Sequence, residues 1–149
     1  MEIFSRISEW LKVQHVVAYC VSDGVSLWCA NAFYVFDPAA VAFYLLTSPA
    51  SRHGRMAGKR TLVAGTVSDQ SQTVIHIRGL QFRGELRQLQ SQEGEDARKR
   101  YYQRFPAARV MSAPVWAIDI DEMKFTDNRL GFGKKLSWRR DGDPSSSAN

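Results

Sequence analysis

The apolar pattern changes period several times along the chain. Residues 2–13 gather Ile3, Phe4, Ile7 and Leu11 on one face, with Ser5, Glu9 and Lys12 elsewhere, which predicts an amphipathic helix. His15 to Val21 reads as a strand, and Asp23-Gly24 signals a two-residue hairpin turn. The return strand, Leu27 to Phe36, is apolar on both faces. A strand wetted on one side would alternate, so this one is expected to be covered inside by a core and outside by a helix or a second subunit. Asp37-Pro38 turns the chain into a strand from Val41 to Thr47. Ser48 then offers an N-cap and Pro49 a first helical residue for a short helix to about Ala57, ended by Gly58. Thr61 to Val67 is the next strand.

Thr73 to Leu89 is long for one strand, and its parity slips. Ile75 and Ile77 hold odd positions, whereas Leu80, Phe82 and Leu86 hold even ones. A one-residue slip exchanges the faces of a strand, so a bulge is expected near Arg78-Gly79. Residues 93–105 form a helix, with Glu95–Lys99 and Asp96–Arg100 as i,i+4 pairs and Ala97, Tyr101 and Phe105 as its apolar stripe. Val115 to Thr126 is a last strand, whose parity shifts near Asp121-Glu122. The result is about six strands with short helices at the connections, a mainly β (α+β) chain favouring a small barrel over a doubly wound sheet. Residues 1–140 make one domain, and 141–149, rich in Asp, Gly, Pro and Ser, read as a disordered tail.

Composition narrows the classes. The chain has 149 residues and is 44% hydrophobic, enough for a core without metal or disulfide staples. No apolar run approaches the roughly 18 residues of a membrane span, and Met1-Glu-Ile-Phe lacks a secretion signal, so a cytoplasmic location is expected. With a two-residue turn, Cys20 faces Leu27 and Cys29 sits diagonally, about 7–8 Å away, too far for a relaxed disulfide. Two reduced, buried thiols are expected, and nothing has zinc-site spacing. The net charge of +5 suggests an anionic partner. Lys and Arg are scattered rather than clustered, which makes nucleic acid the weakest candidate.

The best candidate site is the turn at 47–53. It offers hydroxyls from Thr47, Ser48 and Ser51, cations from Arg52 and His53, and the free amides of a helix start, the groups a phosphate monoester needs. A capped, solvated helix start explains the same residues equally well. Asn31 is polar in an otherwise apolar strand and needs a partner, in a ligand, a neighbouring strand or a second subunit. His15 and His76 are lone histidines on strands. Asp119, Asp121 and Glu122 read as a solvated edge, and Lys134-Lys135, Trp138 and Arg139-Arg140 as a basic, aromatic patch.

Tyr44-Leu-Leu-Thr47-Ser48-Pro-Ala-Ser51-Arg52-His53 resembles the Phe-Tyr-Thr-Asn-x-x-Ser-Arg-Lys stretch of the pyridoxamine 5'-phosphate oxidases. Arg78-Gly-Leu-Gln-Phe-Arg-Gly84 resembles their Arg-Gln-Val-Arg-Val-x-Gly strand. The order of elements is similar across roughly residues 5–130. The resemblance is closer to a small, uncharacterised bacterial subfamily, marked by Trp28-Cys-Ala-Asn-Ala-Phe-Tyr34, Ala64-Gly-Thr-Val67, Ser112-Ala-Pro-Val-Trp116, Lys124-Phe-Thr-Asp-Asn128 and Leu-Gly-Phe-Gly-Lys134.

The resemblance implies a six-stranded FMN-binding split barrel. It also implies a homodimer with flavin between the subunits, and a cofactor site drawn from Asn31, Thr47, Ser48, Ser51, Arg52, His53 and Arg78. Ser51 and Arg52 match the family's phosphate contacts. His53 replaces a Lys, Gly79 a flavin-contacting Gln, and Asn31 with its apolar neighbours a pair of cations. Arg129-Leu-Gly-Phe-Gly-Lys134 replaces the Arg-Leu-His-Asp-Arg that holds the oxidases' substrate, so that oxidase activity is not expected. Two expectations stay open: a flavin oxidoreductase acting on an unidentified small molecule, and a non-catalytic split-barrel dimer holding another cofactor, such as haem, or an anionic ligand.

Overall fold

The computed structural model describes residues 2–131 and 133–142, so most of the tail lies outside the described residues. The elements run α1 (Ile3–Val13), β1 (Val16–Ser22), β2 (Leu27–Phe33), β3 (Val35–Asp37), β4 (Ala42–Leu46), α2 (Arg52–Ala57), β5 (Arg60–Ser68), β6 (Arg78–Gln88), α3 (Ser91–Arg104), β7 (Val115–Asp127) and β8 (Lys135–Arg139). The strands form one antiparallel sheet in the order β2-β1-β5-β6-β7-β4-β3. β8 lies on the same edge of β7 as β4, beyond its end.

The two edge strands of that order, β2 and β3, are consecutive in the chain and separated only by Tyr34. The sheet therefore has to curl until the ends of its two edge strands come together at Tyr34, although β2 and β3 do not pair. Tyr34 is fully buried at that junction, donates its hydroxyl to Leu11 O at 2.5 Å and packs edge-on against Phe43. The expected split barrel is present, with eight strands among the described residues instead of six. The expected strand from Leu27 to Phe36 is broken at Tyr34 to make this corner, and Lys135–Arg139 forms β8.

Inside the curl, Val17, Tyr19, Val21, Phe43, Leu45, Val63, Phe82, Ile118 and Ile120 meet Ile7, Trp10 and Leu11 of α1. A second cluster lies outside, where Tyr101 and Ala97 of α3 cover Tyr44, Leu46, Val115 and Ala117. The strand buried on both faces is thus β4, with the first residues of β7. The outer face of β2 is covered only at its end, where Phe33 packs on Phe105; Leu27 stays 69% and Phe33 53% exposed in the single chain.

Three local expectations change. The α2 N-cap is Ser51, not Ser48, because Ser48-Pro49-Ala50 makes a separate turn first. Val74–His76 is a 3-10 turn rather than strand, which accounts for the odd parity of Ile75 and Ile77 without a bulge at Arg78-Gly79. The register slips instead between Arg83 and Gly84, opposite Asp121, where the second parity shift was expected. A Cβ on Gly84 would lie 2.2 Å from Asp119 O, so only glycine fits the crowded bulge.

The Asp23-Gly24 hairpin has four turn residues, not two. Asp23 Oδ1 accepts from the amides of Val25 and Ser26 at 2.9 and 2.8 Å, and Ser22 pairs with Leu27. That register places Cys20 directly opposite Cys29 rather than diagonal to it, on the outer face of the edge strand, so Cys29 is exposed and Cys20 half-buried where two buried thiols were expected.

Candidate functional site

Thr47 ends β4 and is pinned on both backbone sides: its amide donates to Pro114 O at 3.2 Å and its carbonyl accepts the Trp116 indole N–H at 3.0 Å. From this fixed point Ser48 to Ser51 form a tight turn. The Ser51 amide and hydroxyl both donate to Ser48 O, and the Ser48 hydroxyl accepts from Ala50 N. Ser51 Oγ then accepts from Gly54 N at 3.1 Å, capping α2. The turn lies so close to the helix that a Cβ on Gly54 would come 2.3 Å from Ser48 O. Gly58, at φ +63°, closes α2 as expected.

α2 leans on the inner face of β1 and β2. The His53 ring stands edge-on to Tyr19, with centroids 5.9 Å apart. Its Nε2 lies 2.6 Å from Thr47 Oγ1 and 3.2 Å from Ser51 Oγ. Partial burial holds His53 below its ordinary value, so the ring is neutral at pH 7. The Tyr19 hydroxyl is buried without a well-formed hydrogen bond, although Thr47 is its polar neighbour; burial pushes the phenol up to about 12. The Arg52 guanidinium lies over the Trp28 ring, 3.8 Å from its centroid. Among the described residues no carboxylate pairs with Arg52 or Arg55, and Arg55 is braced on Ala50 O.

The structure thus brings Thr47, Ser48, Ser51, Arg52 and His53 together. Asn31 and Arg78 do not join them within one chain. Asn31 is exposed on the outer face of β2, opposite Ala18, whereas α2 meets the inner face. Arg78 starts β6 beside Asp127 and is bound to Asp69 at 2.9 Å. Two residues of the cluster, Tyr19 and Trp28, were not singled out from sequence. Alternation in β1 puts Tyr19 inward with Val17 and Val21, where a phenol needs a partner; that was the available signal.

Other candidates turn out to be structural. Arg87 ties Asp119 to Glu93 at 2.5 and 2.7 Å, and Glu122 pairs with Arg83 and Arg139. The basic, aromatic patch is largely absorbed: Trp138 packs on Phe4, and Arg140 donates to Ile120 O and Val41 O. Arg129, in the segment that replaces the oxidases' substrate motif, is held by Asp127. His15 and His76 are exposed, and no group of metal-ligating side chains occurs among the described residues. No helix among them is long and apolar enough to cross a membrane.

No protein-family model matches the chain. A UPF0306 protein of Cronobacter sakazakii is 61% identical over 140 residues, which cover 94% of this chain and 97% of that protein. The chain belongs to the UPF0306 family. UPF0306 protein YhbP of an Escherichia coli O8 strain is 57% identical over 141 residues, 95% of this chain and 96% of that protein. Among solved structures, a heme-binding protein from Mycobacterium smegmatis superposes with TM-score 0.77 at 15% identity, over 93% of this chain and 58% of that one. An FAD-binding protein from Mesorhizobium loti does so with TM-score 0.62 at 12% identity, over 81% of this chain and 92% of that one. These neighbours share the split-barrel fold with this UPF0306 member.

Proposed function

We propose that this UPF0306 protein binds FMN, with the phosphate against Ser48, Ser51 and Arg52, and that two copies pair through the outer face of β1, β2 and β5. The carrying observation is Arg52: a cation free of any carboxylate among the described residues, held over the Trp28 ring and next in the chain to a turn with three hydroxyls. The donor set fits a phosphate: the Arg52 guanidinium and the Ser48 hydroxyl have protons to donate, and the Ser51 hydroxyl would join them by turning from Ser48 O. The unpartnered Tyr19 hydroxyl adds a buried donor behind them. Split-barrel neighbours named as FAD-binding and heme-binding support a ligand of this kind. When bound, FMN supplies hydride or electron transfer to a small organic molecule. The chain's part is to hold the phosphate, orient the ring and exclude water.

A second copy is supported by Val16, Leu27, Phe33 and Leu62, which remain exposed as an apolar outer face in one chain. Such pairing also adds groups to a site that one chain leaves open, because Asn31 lies on that same face.

The second reading, another anionic ligand such as haem on the same dimer, is favoured by the low charge of the site. His53 is neutral at pH 7 and β2 supplies no cation. Titration with FMN, FAD and hemin, followed by flavin fluorescence and the Soret band, separates the two. Quenching of FMN at one equivalent per subunit supports the first. Unchanged flavin fluorescence with a shifted Soret band supports the second.

A further inference from the structure

The β1–β2 ladder fixes how Cys20 and Cys29 meet. Tyr34 N donates to His15 O at one end of the ladder, and Asp23 N donates to Ser26 O at the other. Hydrogen-bonded pairs recur every second residue along an antiparallel ladder, so the bonded pairs fall on the odd positions of β1. Cys20 and Cys29, directly opposite each other, are therefore a non-hydrogen-bonded pair. Such pairs have Cα atoms about 4.5 Å apart and side chains on the same face, inside the range that a disulfide spans.

We infer that Cys20 and Cys29 are a redox modification site, a dithiol that closes to an intrachain disulfide by exchange with a low-molecular-weight disulfide such as oxidised glutathione. Both thiols are free; Cys29 is exposed and Cys20 half-buried. They border an open depression of about 400 Å³ between Ala18, Gly65 and Gln81, which gives a small disulfide its approach. Exposure makes Cys29 the attacking group. Burial, and then the neighbouring Cys29 thiol, hold the Cys20 thiol above its ordinary value, in keeping with a second, resolving role.

The exchange balances. The Cys29 thiolate attacks one sulfur of the reagent, forming a mixed disulfide and releasing one thiolate. The Cys20 thiolate attacks Cys29 Sγ, closes the Cys20–Cys29 bond and releases the second. The two cysteine protons pass to the two leaving thiolates, and two electrons pass from the cysteine pair to the reagent. The inference is independent of the ligand reading at α2. The pairing proposed above would cover this face, so the reaction is run in parallel on Leu27→Glu, whose charge at a 69% exposed position keeps the face open.

The test incubates the reduced, full-length protein at low micromolar concentration with oxidised glutathione, quenches with acid and measures intact mass without reductant. Loss of two hydrogens with no adduct, reversed by dithiothreitol, is expected. Cys20→Ser should instead keep one glutathione on Cys29, and Cys29→Ser should react at least about tenfold more slowly than Cys20→Ser. A persistent glutathione adduct on the wild type, a covalent dimer, or unreacted thiols would each overturn the inference. So would equal rates in the two variants.

Discussion

Arg52 and Trp28 form a cation–π pair, the guanidinium carbon 3.8 Å from the centre of the indole ring. One residue comes from the first turn of α2 and the other from edge strand β2, so the contact ties the candidate site to the open side of the barrel. The ring fixes the cation without neutralising it, leaving its N–H groups available to an anion.

Arg52→Ala removes the cation that the Trp28 ring holds next to the turn. FMN affinity should fall by about 10- to 100-fold, corresponding to the ~1.5–3 kcal/mol of a hydrogen bond to a charged group. Trp28→Ala, which leaves the charge but frees its position, should cost about 0.5–1 kcal/mol. Fluorescence titration of the two variants checks the order. Equal losses would mean that the ring, not the charge, carries the binding.

His53 gives the site a pH dependence. Its folded value lies below the ordinary one, so between the two the unfolded chain binds more protons. The stability it contributes is full above about pH 6.5 and is lost as pH falls through the window below. In the same window the new charge beside Arg52 should tighten FMN by about fivefold (~1 kcal/mol). Urea midpoints and FMN titrations from pH 7.5 to 5.5 should show both trends in the wild type, and neither should appear in His53→Gln.

Gly54→Ala tests the contact between turn and helix. The new Cβ would meet Ser48 O at 2.3 Å and Pro49 Cα at 2.8 Å, both backbone atoms. Alanine is the better helix former, yet the clash should dominate and cost about 1–3 kcal/mol. The urea unfolding midpoint should fall, and FMN affinity with it, as the Ser48 and Ser51 hydroxyls move.

Leu27→Glu places a charge on the outer face at a position 69% exposed in one chain and outside both buried clusters. Sedimentation should change from a dimer to a monomer, while the circular dichroism and unfolding midpoint of the subunit shift little. A wild-type protein that sediments as a monomer at micromolar concentration would remove the paired arrangement altogether.

Local patterns in the chain set the elements and most of their faces. The helical stripe of α1, the alternation of β1, the stop at Gly58 and the slip near Asp121 are local patterns, set by repeat periods and backbone sterics. The hydroxyl-rich turn at 47–53 was legible for the same reason, since its residues are neighbours in the chain. Whatever depends on pairing across distance had to wait for the folded chain. Ile75 and Ile77 mimicked a strand until the 3-10 turn at Val74–His76 explained them. Burial on both faces belongs to β4, because α3 packs there; β2 merely resembles it in composition. Trp28 became part of the site only when the curl of the sheet brought β2 under Arg52. Two extra residues in one hairpin turn moved Cys29 from a diagonal position to one facing Cys20, because every cross-strand neighbour follows the register of the turn.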